Sequence, residues 1–308
     1  KMVYMYMMMK SNLSSWRRLA VFIVISINVI LVREFKARTD VDLKRRQLNT
    51  PTRNIYTFYA PLIHAANTSR ERRIHKADEA LLEAWKTAWY DAGWNPRVIS
   101  LEDAKNHPNF LLYLERLKNV TLIGNGGRNE EYNKYCFLRY LAMAHVGGGM
   151  MADYDLFPIV NSMQSLRNYS FQDFTVYQRT LNKAGPVPAL CSGSTKEWER
   201  IAFAILEISQ NPLNTGWSDM TALMQLYKTQ KGSMVLRNQV LGSNEFDKAF
   251  ALTERCHLAS RTMAIGVHFS HYDVQESGYK ILDRPQLALD FMASWRKHCN
   301  QLEPPDQS

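Results

Sequence analysis

Two aspartates one residue apart, Asp153 and Asp155, stand in the stretch GGGMMADYDLFP, Gly147 to Pro158. If this stretch is a strand, alternate residues face the same way and the two carboxylates are presented together. Neighbouring carboxylates repel each other or share a proton unless a cation lies between them. Oxygen ligands at a strand end suit Mg²⁺ or Mn²⁺, which keep positions open for phosphate oxygens. The glycines ahead of the pair let the chain turn back tightly and leave room for a ligand to approach the backbone. Upstream, Arg139 is the only formally charged residue between Tyr135 and Ala152. A guanidinium in so apolar a segment cannot shed its proton and must find an anion. Two readings follow: a metal holding a diphosphate, or a buried ion network in which Arg139 pairs with one aspartate.

Other Asp-x-Asp chemistries fit less well. An EF-hand loop opening at Asp153 needs a glycine in its sixth place and a glutamate in its twelfth, where the chain has Pro158 and Gln164. An aspartyl-phosphate phosphohydrolase carries a small residue where Phe157 stands, and its motif opens the domain rather than falling near the middle.

The elements that must position these residues read as α/β. NIYTFYAP alternates as a first strand, and KADEALLEAWKTAWYDAGW has helical periodicity through Leu81, Leu82, Trp85 and Trp89, closed by Gly93. PRVIS is a second strand. A helix through EEYNKYCFLRYLAMAHV, apolar on most sides, ends at Gly147, and MMADYD follows as a central strand. A strand at FTVYQ and helices at STKEWERIAFAILEIS, SDMTALMQLYK and DRPQLALDFMASWRKH complete the pattern, the last with Asp283 as N-cap and Pro285 in its first turn. Early alternation of strand and helix predicts a mostly parallel central sheet flanked by helices.

Charge is distributed unevenly. Residues 1–53 hold eleven Lys/Arg against three Asp/Glu, whereas residues 54–308 hold 27 against 26. A nucleic-acid binder carries its basic excess on the folded domain, so this pattern argues against nucleic acid as a partner. The uncharged run Leu19–Val32 follows Arg17 and Arg18 and has no small-residue cleavage site after it. It reads as a short uncleaved signal anchor, extended by Trp16 and the snorkelling stems of Arg17, Arg18 and Arg33. Six Lys/Arg between Arg33 and Arg46 oppose a lumenal domain on the positive-inside count. Sequons at Asn67, Asn119 and Asn168 favour one. The expected organisation is a basic tail over 1–18, the anchor over 19–32, a stem over 33–53, the catalytic domain over 54–300 and a tail over 301–308. Cys136, Cys191, Cys256 and Cys299 all follow the anchor, lack metal-type spacing and allow three pairings. Cys136, in an apolar run, reads as a small buried residue.

The segment YCFLRYLAMAHVGGGMMADYDLFP resembles the sugar-nucleotide-binding region of Asp-x-Asp glycosyltransferases of GT-A fold. The nearest group is the retaining family that includes Golgi α-1,6-mannosyltransferases and α-1,4-galactosyl/N-acetylglucosaminyltransferases. The matching residues are Arg139-Tyr140, Gly148-Gly149, Met150-Met151 and Asp153-Tyr154-Asp155. The chain departs at Cys136, where the family usually has an aspartate that touches the donor. The resemblance implies a GT-A-like domain, a UDP- or GDP-hexose donor, a glycan or glycoconjugate acceptor and Mn²⁺ (or Mg²⁺). It also implies a type II Golgi or ER membrane protein with a lumenal domain. By the same resemblance Thr57 and Tyr59 cradle the nucleobase and ribose, and His268 or His271 completes the metal or touches the diphosphate. Asp219 lies against the reacting sugar, or is simply a helix N-cap. A sugar- or nucleotide-binding protein that has lost catalysis on the same fold is the non-enzymatic alternative.

Overall fold

The computed structural model describes residues 53–61, 68–123, 128–159, 171–180, 185–211, 216–243 and 252–299. All lie in one compact unit, Pro51–Ser308. The expected anchor, nearly all of the stem, both tails, Asn67 and Asn168 fall outside the described residues. Among those described, no helix is long and apolar enough to cross a membrane.

In chain order the elements are β1 (Asn54–Phe58), α1 (Ser69–Asp91), β2 (Asn95–Ile99), α2 (Leu101–Lys105), α3 (Phe110–Leu117) and α4 (Arg128–His145). There follow β3 (Gly148–Ala152), β4 (Leu156–Pro158), β5 (Thr175–Arg179), β6 (Pro186–Ser194), α5 (Thr195–Ser209) and α6 (Asp219–Thr229). The chain continues through β7 (Val235–Leu236), β8 (Val240–Gly242), α7 (Leu252–Thr262), β9 (Gly266–His268), α8 (His271–Glu276) and α9 (Arg284–His298). The first helix begins at Ser69, ahead of the predicted start, because Thr68 and Glu71 form a capping box before any apolar periodicity appears.

The larger sheet has the order β2-β1-β3-β6-β5-β7 and is mixed, not mostly parallel as the element alternation suggested. β1 runs parallel to β2 and β3, and β5 parallel to β7, but β6 runs antiparallel to both β3 and β5. The reason lies in the connections: β5 ends at Arg179 and β6 begins at Pro186, too close in the chain for the crossover of roughly a dozen or more residues that a parallel pair needs. β3 is buried on both faces, with Met150 in one apolar cluster and Met151 in the other. The first cluster packs α1, β4, β9 and α9 around Trp85, Trp89 and Trp94. The second packs α4, α5 and α6 around Phe137, Tyr140 and Trp198.

A second sheet, β4-β9-β8, decides where the site forms. The predicted strand MMADYD ends at Ala152. Asp153 N–H donates to the Ala189 carbonyl (2.8 Å), then Leu156 N–H donates to the Asp153 carbonyl (2.9 Å), so Asp153, Tyr154 and Asp155 form a turn between the two sheets. β4 then pairs antiparallel with β9, setting Leu156 opposite His268. The Phe269 N–H closes the pairing on the Asp155 carbonyl (2.8 Å).

The glycines ahead of β3 act on the backbone. Gly147, Gly148 and Gly149 all have positive φ, and a Cβ at Gly148 would collide with the backbone of Gly193, Ser194 and Thr195. They make the turn and let β6 run close by, at the end of β3 away from the aspartates; beside Gly148 the expected room for a ligand is filled by protein.

Cys256 and Cys299 form a disulfide joining α7 to the end of α9, whereas Cys136 and Cys191 are free and buried. Asp283 precedes α9 without capping it; its carboxylate accepts from Lys280 N–H instead.

Candidate metal and anion site

Arg139 sits in the middle of α4, on a face wholly covered by the second cluster, and serves two carboxylates. Nη1 donates to Asp153 Oδ1 (2.7 Å) and Nη2 to Asp219 Oδ2. Tyr140 Oη also donates to Asp219 Oδ2 (3.2 Å), while Asp219 Oδ1 accepts from Met220 N–H (2.8 Å). The cap of α6 belongs to Ser218, whose hydroxyl accepts from Thr221 N–H. Asp219 is thus no N-cap. It is buried, and both its oxygens accept hydrogen bonds.

Asp155 is held from the other side of the fold. Arg284, the first residue of α9, is 1% exposed and donates Nη2 to Asp155 Oδ2 (3.0 Å). His268 Nε2 lies 3.2 Å from Asp155 Oδ1. The other ring nitrogen, Nδ1, lies 2.9 Å from Gln178 Oε1 on β5 and donates to it, which aims Nε2 at the carboxylate. Ligand atoms of Asp153, Asp155 and His268 all lie within 4.8 Å of one another. The carboxylates converge because of the turn and the β4–β9 pairing, not because they alternate along a strand.

The two aspartates titrate in opposite directions. Burial pushes Asp153 up to about 6, with Arg139 pulling against it and Asp155 adding to the rise. Burial also works on Asp155, but His268 and Arg284 outweigh it and hold that carboxyl well below the usual range. His268 is raised: burial alone would lower it, and Asp155 overrides burial.

The remaining expected residues are placed less centrally. His271, the exposed first residue of α8, is not one of the three converging ligands, though its charge helps hold Asp155 down. Tyr59 lies just past β1, its ring edge-on to Tyr154 at 5.5 Å, and burial with Asp78 and Glu79 pushes its phenol up to about 12. Thr57 is completely buried and its hydroxyl has no hydrogen-bond partner.

Arg284 and Gln178 went unrecognised in the sequence. Arg284 reads there only as the start of a helix before Pro285, and nothing local to it indicates a carboxylate 129 positions earlier. Gln178 closes a predicted strand, and its partner depends on which sheet receives β9.

Fold and site together define an α/β protein with a cluster of two carboxylates and an imidazole where its two sheets meet. The chain belongs to the family of a domain of unknown function, DUF8765, whose model matches residues 42–227. That span contains Arg139, Asp153, Asp155, Gln178 and Asp219, while His268 and Arg284 lie beyond it. No curated protein matches the chain in sequence. Solved structures give remote likenesses. One is a glycosyltransferase involved in the glycosylation of the major capsid of PBCV-1, with 11% identity, 78% of this chain and 100% of that one covered, and a TM-score of 0.41. An active-site mutant of LgtC gives 12% identity, 70% and 86% coverage and a TM-score of 0.41. Mouse xyloside xylosyltransferase 1, in its apo form, gives 10% identity, 70% and 97% coverage and 0.39.

Proposed function

We propose that the protein is a metal-dependent glycosyltransferase that binds a UDP- or GDP-hexose and passes the sugar to a glycan or glycoconjugate acceptor. The observation that carries this reading is the convergence of Asp153, Asp155 and His268 just past the carboxyl end of β3. Open α/β sheets bind ligands in that position. Two carboxylates and an imidazole fit Mn²⁺ or Mg²⁺ and leave roughly half of an octahedral shell for water and phosphate oxygens. When bound, such an ion neutralises charge on a leaving diphosphate.

The chain's own groups prepare for this. Arg284 takes Oδ2 of Asp155 and leaves Oδ1 directed at His268. Arg139 takes Oδ1 of Asp153 and leaves Oδ2, on a side chain that is 29% exposed, as the most accessible ligand oxygen. Asp219 and Tyr140 fix the Arg139 guanidinium, so Asp219 acts as a positioning residue. Tyr59 and Tyr154 stand beside the pair as the aromatic surface for the nucleoside.

The buried ion network is the second reading, favoured by Arg139 bridging Asp153 and Asp219. Calorimetric titration of UDP- and GDP-sugars with and without Mn²⁺ separates the two. The transferase reading expects Mn²⁺-dependent binding followed by donor turnover; equal affinity in both conditions overturns it. Mn²⁺-dependent binding without turnover points to a protein that has kept the donor site and lost catalysis.

We also propose that the domain is lumenal, on a type II anchor at Leu19–Val32. The Cys256–Cys299 disulfide supports an oxidising compartment, and Asn119 is exposed in its sequon after α3. An N-glycan-removing enzyme should shift the size of the expressed protein, and mutating Asn67, Asn119 and Asn168 together should abolish the shift. Protease cleavage of the domain from outside intact microsomes refutes the assignment.

A further inference from the structure

A cavity of about 300 Å³ opens between α8, α9 and the end of β9. Its walls are largely aromatic, from Phe269, Tyr279, Phe291 and Trp295. Phe291 and Trp295 stack at 28° with centroids 5.8 Å apart, and Phe269 stands edge-on to Phe291 at 5.6 Å. Ser243 and Ser277 also line it, and each has a buried hydroxyl oxygen without a hydrogen-bond partner. Asp290 contributes a carboxylate from an exposed position. Among the described residues, none that lines it is Lys, Arg or His.

We propose that this cavity binds one neutral hexopyranose ring and is a saccharide site separate from the cation site. The described walls offer a phosphate or carboxylate ligand no cation, and a buried anion needs a paired charge. The volume, at the lower end for small-molecule sites, suits a single ring and not a nucleoside diphosphate. A pyranose has an apolar C–H face for the aromatic side chains and a rim of hydroxyls that donate and accept. A buried serine hydroxyl left unpaired is costly, and one χ1 rotation re-aims it at a ligand oxygen.

The cavity reaches the cation site through the backbone. Phe269 directly follows His268, and its N–H donates to the Asp155 carbonyl. A ring seated against Phe269 therefore presses on the segment that carries a proposed metal ligand. This goes beyond the transferase reading and does not require a metal.

Saturation-transfer NMR on the full chain tests it, using the methyl α- and β-pyranosides of glucose, galactose and mannose, with choline as a cationic control. Transfer to at least one pyranoside is expected without Mn²⁺ and should persist in Asp155→Asn. Phe291→Ala and Ser277→Val should each weaken it at least fivefold. If either variant loses its melting transition, Asp290→Asn, at an exposed position, replaces it and should also weaken transfer. Transfer to no pyranoside, transfer to choline alone, or transfer untouched by the cavity variants overturns the proposal. Loss of transfer in an Asp155→Asn variant that keeps its melting transition overturns it too, because the sugar then sits at the cation site. A failure of Mn²⁺-dependent nucleotide binding leaves these readouts unaffected, so the two proposals fail separately.

Discussion

The two aspartates are neighbours in sequence, yet they belong to different halves of the molecule. Asp153 is tied to α4 and α6 through Arg139 and Asp219, is 29% exposed, and is pushed up to about 6 chiefly by burial. Asp155 is tied to β9 and α9 through His268 and Arg284, is 13% exposed, and is held well below the usual carboxylate range. One carboxylate is thus close to releasing its charge, and the other is locked in the charged state. A site built this way has one fixed ligand and one that responds to what binds.

The largest effects should come from breaking the fixed half. Asp155→Ala should abolish Mn²⁺ binding and strand the Arg284 guanidinium, at a cost of about 3–5 kcal/mol. Arg284→Met should destabilise by a similar amount from the other side. The double variant Asp155→Ala/Arg284→Met should recover much of that loss in denaturant melts. Additive losses would mean that the pair is not a unit.

The responsive half should show smaller effects on folding and clearer ones on turnover. Arg139→Lys keeps the charge but not the planar fork that bridges two carboxylates, so donor turnover should fall more than roughly tenfold, about 1.4 kcal/mol. Unchanged turnover in a folded variant would make Arg139 a purely structural partner.

pH distinguishes the halves directly. Asp153 binds its proton more tightly when folded, so its share of metal-free stability is present below its unfolded value of about 4 and is lost as pH rises toward about 6. Asp155 does the opposite: its share is present above about 4 and is lost as pH falls further. Metal must displace the Asp153 proton and, because His268 is raised, the imidazole proton as well. Mn²⁺ affinity should therefore fall at least about tenfold per unit below pH ~6. A flat profile between pH 5 and 7 would remove Asp153 from the ligand set.

The smallest expected effect sharpens the role of Asp219. Ser218→Ala should cost about 1 kcal/mol as a lost cap and leave Mn²⁺ affinity unchanged, because the cap and the Arg139 contact belong to different residues.

The contrast between the halves also governs what was readable in the sequence. The Arg139–Asp153 half follows from one helix, one glycine turn and one strand, and an isolated arginine in an apolar helix already implies a nearby anion. Even there, the glycines proved to serve the backbone, because the space beside Gly148 is filled by Gly193–Thr195. The Asp155 half depends on the chain leaving one sheet for another after Ala152. Periodicity registers alternation within a strand but not which sheet a strand joins, so Arg284 and Gln178 had no local signature. The antiparallel return of β6 was illegible for the same reason.

The helix α9 has its own implication for how the protein is made. Its first residue closes on Asp155 and the residue following its last is covalently joined to Cys256. Synthesis runs from the N-terminus, so Asp155 emerges 129 positions ahead of the arginine that neutralises it. At about 5–20 residues per second, the nascent chain spends roughly ten seconds or so with that carboxylate unmatched. The Asp155 cluster is therefore a late-maturing part of the molecule, completed only when α9 docks, and a nascent chain halted before Arg284 has the motif without its buried partner.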